Sequence, residues 1–310
     1  MAEKTRALAL AELTAAGQPF ELIPGSVFGR DCLRFKNAPA TLRTLFAEAC
    51  SDAPFLVYSD ERLSFAETYA AAARVATVLV NDYSIKRGDR VAISMRNYPE
   101  WILSFMAVTA IGGIAVAMNA LWRPDEMAFG LSDSGAKVLI ADQERLDRFA
   151  DISPALDIQV IAVRAEATDH ARLTDLVSAY ADVTEMPAQA PDPEDDATLM
   201  YTSGSTGNPK GVASCHINII SALMSWELDQ TTAIALMDEP PAEPEHPPAT
   251  LLAVPLFHAT GSLAVYLASY RHQRKLVSMY KWDPAAAAVL IEEEKITGFI
   301  APAAMTGDLV

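Results

Sequence analysis

Apolar and polar positions alternate along this chain in two rhythms. Short apolar runs rich in Val, Ile, Leu and Ala predict strands at 55–58, 90–94, 114–118, 137–141, 158–163, 197–200, 250–255, 275–280 and 296–301. Between them, apolar residues recurring every three or four positions predict helices over 41–50, 65–81, 143–149, 172–180, 218–228 and 285–295. Leu42, Leu45 and Phe46 share one face of the first of these. Ser64 and Glu67 have capping-box spacing ahead of the second, and Asp283 and Pro284 supply an N-cap and a first-turn proline for the last. Residues 55–58 and 63–65 flank a polar turn and read as a hairpin. A short Ala/Leu helix at 5–15 is followed by a polar, irregular stretch to residue 40.

One run supports two readings. Residues 101–121 carry no charge and are long enough for a membrane span. Alternatively, Asn97 and Glu100 form a cap-like pair around Pro99, Gly112 and Gly113 stop the helix, and 114–118 is a strand. We prefer the second, because a helix, a glycine stop and a buried parallel strand also produce an unbroken apolar run.

Strands alternating with helices predict an α/β fold with largely parallel sheets. The acidic, proline-rich stretch 186–196 reads as a linker between a first lobe (1–185) and a second (197–310). A second proline- and acid-rich stretch, 238–248, reads as an exposed insertion rather than a metal site. No solenoid-type repeat is visible.

Composition narrows the function classes. A net charge of −16 and a pI near 4.7 argue against a nucleic-acid partner. Cys32, Cys50 and Cys215 are odd in number and widely spaced, with no disulfide framework or Cys-x-x-Cys pair, and the first residues lack a secretory pattern. Both features fit a reducing, cytoplasmic setting.

The densest chemistry follows the strand at 197–200. Tyr201, Thr202, Ser203, Gly204, Ser205, Thr206, Gly207, Asn208, Pro209, Lys210 and Gly211 combine turn-permissive glycines, hydroxyl donors and one cation. A helix expected from about Val212 would turn its N-terminus toward an anion. The order strand, small-residue loop, helix predicts a phosphate-gripping loop. It is not a Walker A loop, since Pro209 stands five residues after Gly204 and Gly211 follows Lys210. It is not a dinucleotide fingerprint, since residue 206 is Thr. A Ser/Gly-rich surface turn would explain the glycines, but less well the density of hydroxyls and the lysine just after an apolar strand.

Tyr201 to Val212 resembles the phosphate-loop signature of the acyl-adenylate-forming superfamily, which includes acyl-CoA synthetases, peptide-synthetase adenylation domains and luciferases. Val254, Pro255, Leu256, Phe257, His258, Ala259, Thr260 and Gly261 form a second match, and the run from Gly112 through Asn119 to Ile140 a third. His216 also fits, as a packing or hydrogen-bonding residue. The similarity runs from about Leu42 to Val310 and is strongest to fatty acyl-CoA synthetases. It implies the N-terminal-domain portion of such an enzyme: two largely parallel sheets flanked by helices, incomplete, with the phosphate loop in the second lobe and the C-terminal domain absent. It also implies an ATP-dependent acid–thiol ligase that converts a fatty acid to an acyl-adenylate and then, with CoA, to a thioester. A homodimer is compatible with it. Ser203, Gly204, Ser205, Thr206, Gly207 and Lys210 would hold the ATP phosphates, Thr202 would help bind Mg²⁺, and His258 would orient or gate beside the carboxylate. Met224, Trp226, Ala259, Gly261 and Ser262 are acyl-pocket candidates or ordinary core.

The sequence departs from the family in two ways. Ala301, Pro302 and Ala303 stand where members often have Val-Pro-Thr. The family's later motifs, including a Mg²⁺-binding glutamate and the adenylation lysine, lie past Val310. The 310 residues alone are therefore expected to catalyse full ligation poorly or not at all. Carboxylate-dependent exchange of pyrophosphate into ATP would overturn this. Two other readings stay open: a non-catalytic nucleotide- or partner-binding module, and a ligase for aryl or other carboxylates.

Overall fold

The computed structural model describes residues 5–153, 156–202, 209–239, 241–242 and 244–309. Helix α1 (Arg6–Leu13) is capped by Thr5, and strands β1 (Leu22–Val27) and β2 (Arg30–Phe35) form a separate antiparallel ribbon. The ribbon turns at Phe28 and Gly29, both at positive φ (49° and 71°), which suits a tight two-residue hairpin. Sequence reading leaves this stretch irregular. Both strands are largely exposed, so they carry no alternating apolar signal.

Helix α2 (Leu42–Glu48) buries Leu42, Leu45 and Phe46 as their spacing predicts, with Thr41 capping it. Strands β3 (Pro54–Tyr58) and β4 (Glu61–Ser64) form the expected hairpin, and the Ser64–Glu67 capping box opens α3 (Phe65–Asn81). Then follow β5 (Arg90–Ser94), α4 (Pro99–Ala110) and β6 (Ile114–Ala117). The charge-free run thus divides as preferred above, at Gly112 with φ +74°. Helix α4 is apolar because the core surrounds it: Trp101, Ile102, Phe105 and Met106 are fully buried, each contributing about 1.5–3 kcal/mol. Among the described residues no helix is long and apolar enough to cross a membrane. The cap differs from expectation. Tyr98 is the N-cap through its extended backbone, and the Asn97 side chain is used elsewhere.

Helix α5 (Pro124–Ser134) ends at Gly135 in the left-handed region. Next come β7 (Val138–Asp142), α6 (Gln143–Ala150), β8 (Gln159–Val163), β9 (Ala171–Arg172) and α7 (Leu173–Ser178). Strand β10 (Asp196–Thr202) and strand β11 (Lys210–Cys215) precede α8 (His216–Ala235). Beyond them lie β12 (Ala249–Leu252), a π-helix (Thr260–Leu267) running into α9 (Ala268–Arg271), and β13 (Lys275–Ser278). The described chain closes with α10 (Pro284–Glu293), β14 (Gly298–Phe299) and α11 (Ala303–Gly307).

The strands build two further sheets. One has the order β11-β10-β6-β5-β7-β8-β9 and is parallel except for β11. The other has the order β14-β12-β13-β3-β4 and is parallel except for β4. This is an α/β fold of two largely parallel sheets flanked by helices. The division at 186–196 does not follow the sheets. Strands β10 and β11 join the sheet begun by β5 and β6, while β12, β13 and β14 join the sheet begun by β3 and β4. The segment is strapped to the preceding chain: Arg43 donates to the Pro187 and Gln189 carbonyls at 2.7 Å, and Arg87 pairs with Asp192 and Asp195.

A correction concerns the chain after Lys210. Residues 210–215 form strand β11, antiparallel to β10, where a helix is expected from about Val212. Helix α8 therefore begins at the far end of β11, ~20 Å along the strand from the loop. The loop cannot use that helix N-terminus.

Candidate active site

Parallel strands present their C-terminal ends along one edge of each sheet, where ligands of open α/β folds gather. Thr202 ends β10 at this edge and pairs with Lys210, the first residue of β11. The expected phosphate loop is thus the connection of a β-hairpin. Ser203, Gly204, Ser205, Thr206 and Gly207 lie outside the described residues. Thr202 and Lys210 are exposed at its base. Among the described residues the Thr202 hydroxyl makes one long contact, 3.5 Å to the Lys210 carbonyl, which leaves its oxygen able to turn toward a ligand. A hydroxyl oxygen in this position is of the donor type that hard cations take. Among the described residues no group of three His, Cys, Asp or Glu side chains could hold a metal.

The hairpin is anchored from behind. The Tyr201 hydroxyl donates to Asp133 at 2.7 Å, and its ring packs edge-on against Trp122 with centroids 5.3 Å apart. Burial and the Asp133 carboxylate push the phenol well above its ordinary pKa, so it stays a donor.

His258 arrives from the other sheet. Strand β12 stops at Leu252, earlier than the expected Pro255, and a buried loop carries the chain on. The His258 N–H donates to the Pro255 carbonyl at 3.1 Å, and the His258 carbonyl accepts the Ser262 N–H and hydroxyl, both at 3.0 Å. The turn requires glycine at 261, where an added Cβ would stand 2.2 Å from the Pro255 carbonyl oxygen. Gly261 and Ser262, acyl-pocket candidates in the sequence, are thus engaged in shaping this turn. Of the others, Met224 is buried beside Arg271, whereas Trp226 and Ala259 are exposed. His258 exposes its ring next to Phe257, and partial desolvation lowers its pKa, which favours neutral imidazole. The turn leads into a π-helix, a rare element that favours functional sites.

Asn97, just past β5, joins the two edges. Its amide donates to the Val254 carbonyl and its oxygen accepts the Leu256 N–H, both at 3.0 Å, while its own carbonyl accepts the Ser278 hydroxyl at 2.8 Å. Strand β10 lies two strands from β5, ~10 Å away. Asn97 thus ties the C-terminal edge of the first sheet to the loop that leads into His258, and the crevice beyond these strand ends is the candidate site.

A buried ion pair near this edge, Arg145 with Asp142, escapes sequence reading. Arg145 on α6 is almost fully buried, pairs with Asp142 at 3.1 Å and donates to the Ala120 carbonyl at 2.9 Å. Asp142 also accepts the Arg96 N–H at 3.2 Å. The helical pattern places Arg145 on a polar face, and only the fold shows that face covered. His216 is also buried. Its Nδ1 accepts the Leu42 N–H at 3.2 Å, and desolvation pushes its pKa down to about 4.

A family model for AMP-binding enzymes matches residues 44–310. The chain belongs to the AMP-binding enzyme family. It is 32% identical over 245 residues to the long-chain-fatty-acid–CoA ligase FadD13 of Mycobacterium tuberculosis, covering 77% of this chain and 44% of that protein. It is 28% identical over 240 residues to 4-coumarate–CoA ligase 2 of Solanum tuberosum, covering 77% of this chain and 42% of that protein. The chain thus spans less than half the length of these relatives. Among solved structures, a Mycobacterium tuberculosis fatty acyl CoA synthetase superposes with a TM-score of 0.73 at 26% identity, over 87% of this chain and 51% of that one. Family members of known fold thus share the two-sheet arrangement, and the relatives are acyl- and aryl-CoA ligases.

Proposed function

We propose that this chain is the ATP-phosphate- and carboxylate-binding part of a cytoplasmic acid–thiol ligase acting on a fatty acid. The observation that carries this reading is the meeting of two edges through Asn97. That contact ties the sheet that carries the Thr202–Lys210 hairpin to the loop that leads into His258, which supports a shared site. Adenylation brings two anions together, so a site must first neutralise and orient them. Lys210 supplies a positive charge where the β- and γ-phosphates would lie, and Ser203, Ser205 and Thr206 supply hydroxyl donors. Thr202 would offer one oxygen to Mg²⁺, which when bound screens the phosphates. The carboxylate attacks the α-phosphorus of ATP, pyrophosphate leaves, and the thiol of CoA then displaces AMP from the acyl carbon. His258, favouring the neutral form and exposed at the mouth, orients or gates the acyl group. The likeness to a long-chain-fatty-acid–CoA ligase supports a fatty acid, and the likeness to a 4-coumarate–CoA ligase supports an aryl acid as the second reading.

The test is equilibrium binding of ATP to the chain and to its Lys210→Ala and Ser205→Ala variants. Each substitution is expected to weaken binding about tenfold, the loss of ~1.4 kcal/mol. Binding unchanged in both variants would remove the phosphate-loop assignment.

A further inference from the structure

The seven-stranded sheet carries a second cavity, remote from the phosphate loop. It encloses about 280 Å³ between α3, α4, the end of β8 and α7. Strand β8 stands four strands from β10, ~19 Å across the sheet, so this is not the cleft described above. Val75, Leu103 and Val177 give it an apolar lining, and Arg74, Arg164 and Arg172 stand around it with Glu100 as the single carboxylate.

The three arginines are not equivalent. Arg164 is spent: it binds both oxygens of Glu100 at 2.9–3.0 Å and both oxygens of Glu61 at 2.7–2.9 Å, and it lies over the rings of Tyr58 and Tyr98. Arg74 uses only Nε, on the Val183 carbonyl at 3.3 Å, among the described residues. Among the described residues Arg172 uses only Nη2, on the Glu166 carbonyl at 3.0 Å. Half-buried Arg74 and exposed Arg172 thus line an apolar cavity with N–H donors to spare and, among the described residues, no carboxylate partner, in a chain of net charge −16. Planar forks of this kind match carboxylate oxygens in pairs.

We infer that this cavity is a binding site for a small amphipathic monocarboxylate, its apolar body against Val75, Leu103 and Val177 and its carboxylate on Arg74 and Arg172. A dianionic phosphate is disfavoured by Glu100 at the same rim. The volume is roughly twice that of a cavity known to take benzene (~150 Å³), which suits a single-ring or medium-chain acid rather than a long one. The site stands apart from the proposed ligase reading, since none of its residues belongs to the phosphate loop or the His258 turn. One wall carries the Arg164–Glu61 pair that ties β4 to the end of β8, so an occupant would also bear on the contact between the sheets.

The experiment is methyl NMR of the 310-residue chain titrated with octanoate, with octanol as the uncharged control. Saturable shifts are expected at Val75, Leu103 and Val177, with octanol binding about tenfold more weakly. Arg172→Glu should weaken octanoate about tenfold, Arg172→Lys should restore part of that loss, and Thr174→Trp, which closes the rim from an exposed position, should abolish the shifts. His258→Ala and Lys210→Ala should leave them in place, which separates this site from the cleft. Absent shifts in the unaltered chain, or shifts that persist in Arg172→Glu and Thr174→Trp, would overturn the assignment.

Discussion

The side-chain oxygen of Asn97 accepts the backbone N–H of Leu256 at 3.0 Å, across 159 positions of sequence and between two different sheets. The same amide donates to Val254. Both partners lie in the loop that turns into His258, and Asn97 is buried. Asn97→Ala would leave an N–H and a carbonyl unsatisfied away from water. We expect a loss of about 2–4 kcal/mol of stability, read by urea unfolding, with larger displacement at His258 than at Thr202. A change below about 0.5 kcal/mol would show that the loop holds its place without this contact.

Gly261 makes a sharper case, because the constraint is steric. A methyl group there would overlap the Pro255 carbonyl oxygen at 2.2 Å and its carbon at 2.7 Å, and backbone cannot yield as a flexible side chain does. Gly261→Ala is expected to destabilise the fold by at least ~2 kcal/mol and to move His258. Gly17→Ala serves as a contrast: it has φ +82° but nothing within 4 Å, so it should cost only the strain of its backbone, about 1 kcal/mol. Equal melting temperatures for the two variants would refute the close-approach argument.

These two sites show what sequence could and could not reveal. The capping box at Ser64, the glycine stop at Gly112 and the Asp283 cap depend on residues within a turn of one another, and all three were legible. The family motif named the loop residues because its small residues and lysine are contiguous. Strand β11 was not legible. Gly211, Val212 and Ala213 suit a helix start as well as a strand, and only pairing with β10 decides between them. The assignment of β12, β13 and β14 to the sheet of β3 likewise rests on contacts from opposite ends of the chain. Asn97 looked like a helix cap because its true partners lie 157 and 159 positions away.

The buried pair on α6 predicts asymmetric mutational costs. Arg145→Leu leaves Asp142, itself nearly inaccessible, without its partner. Breaking such a pair from one side costs about 3–5 kcal/mol, whereas removing both charges costs far less. Arg145→Leu should therefore be strongly destabilising in urea unfolding. Adding Asp142→Asn should recover at least about 1 kcal/mol of that loss. If the double variant is less stable than the single one, Asp142 is serving its cap and the Arg96 N–H more than it serves Arg145.

His216 predicts how stability follows acidity. Its Nδ1 accepts the Leu42 N–H, so the ring must be neutral with its proton on Nε2, and burial holds the folded pKa down to about 4 against 6.5 when unfolded. Between those values the unfolded chain binds a proton that the folded chain does not, so stability rises with pH across this window. The contribution is complete above about pH 6.5 and is lost progressively as pH falls toward 4. The shift corresponds to about 3 kcal/mol. Nearby Asp195, its own pKa lowered chiefly by its bonds to Arg87 and the Asp192 N–H, offsets part of the burial effect on the imidazole. Urea unfolding of the chain and of His216→Gln at pH 4.5, 5.5, 6.5 and 7.5 isolates this proton. The glutamine variant should be less stable at pH 7.5 yet show a shallower dependence on pH, by up to one proton. Parallel pH profiles for the two proteins would mean that the imidazole titrates normally in the folded state and that its bond to Leu42 does not depend on its being neutral.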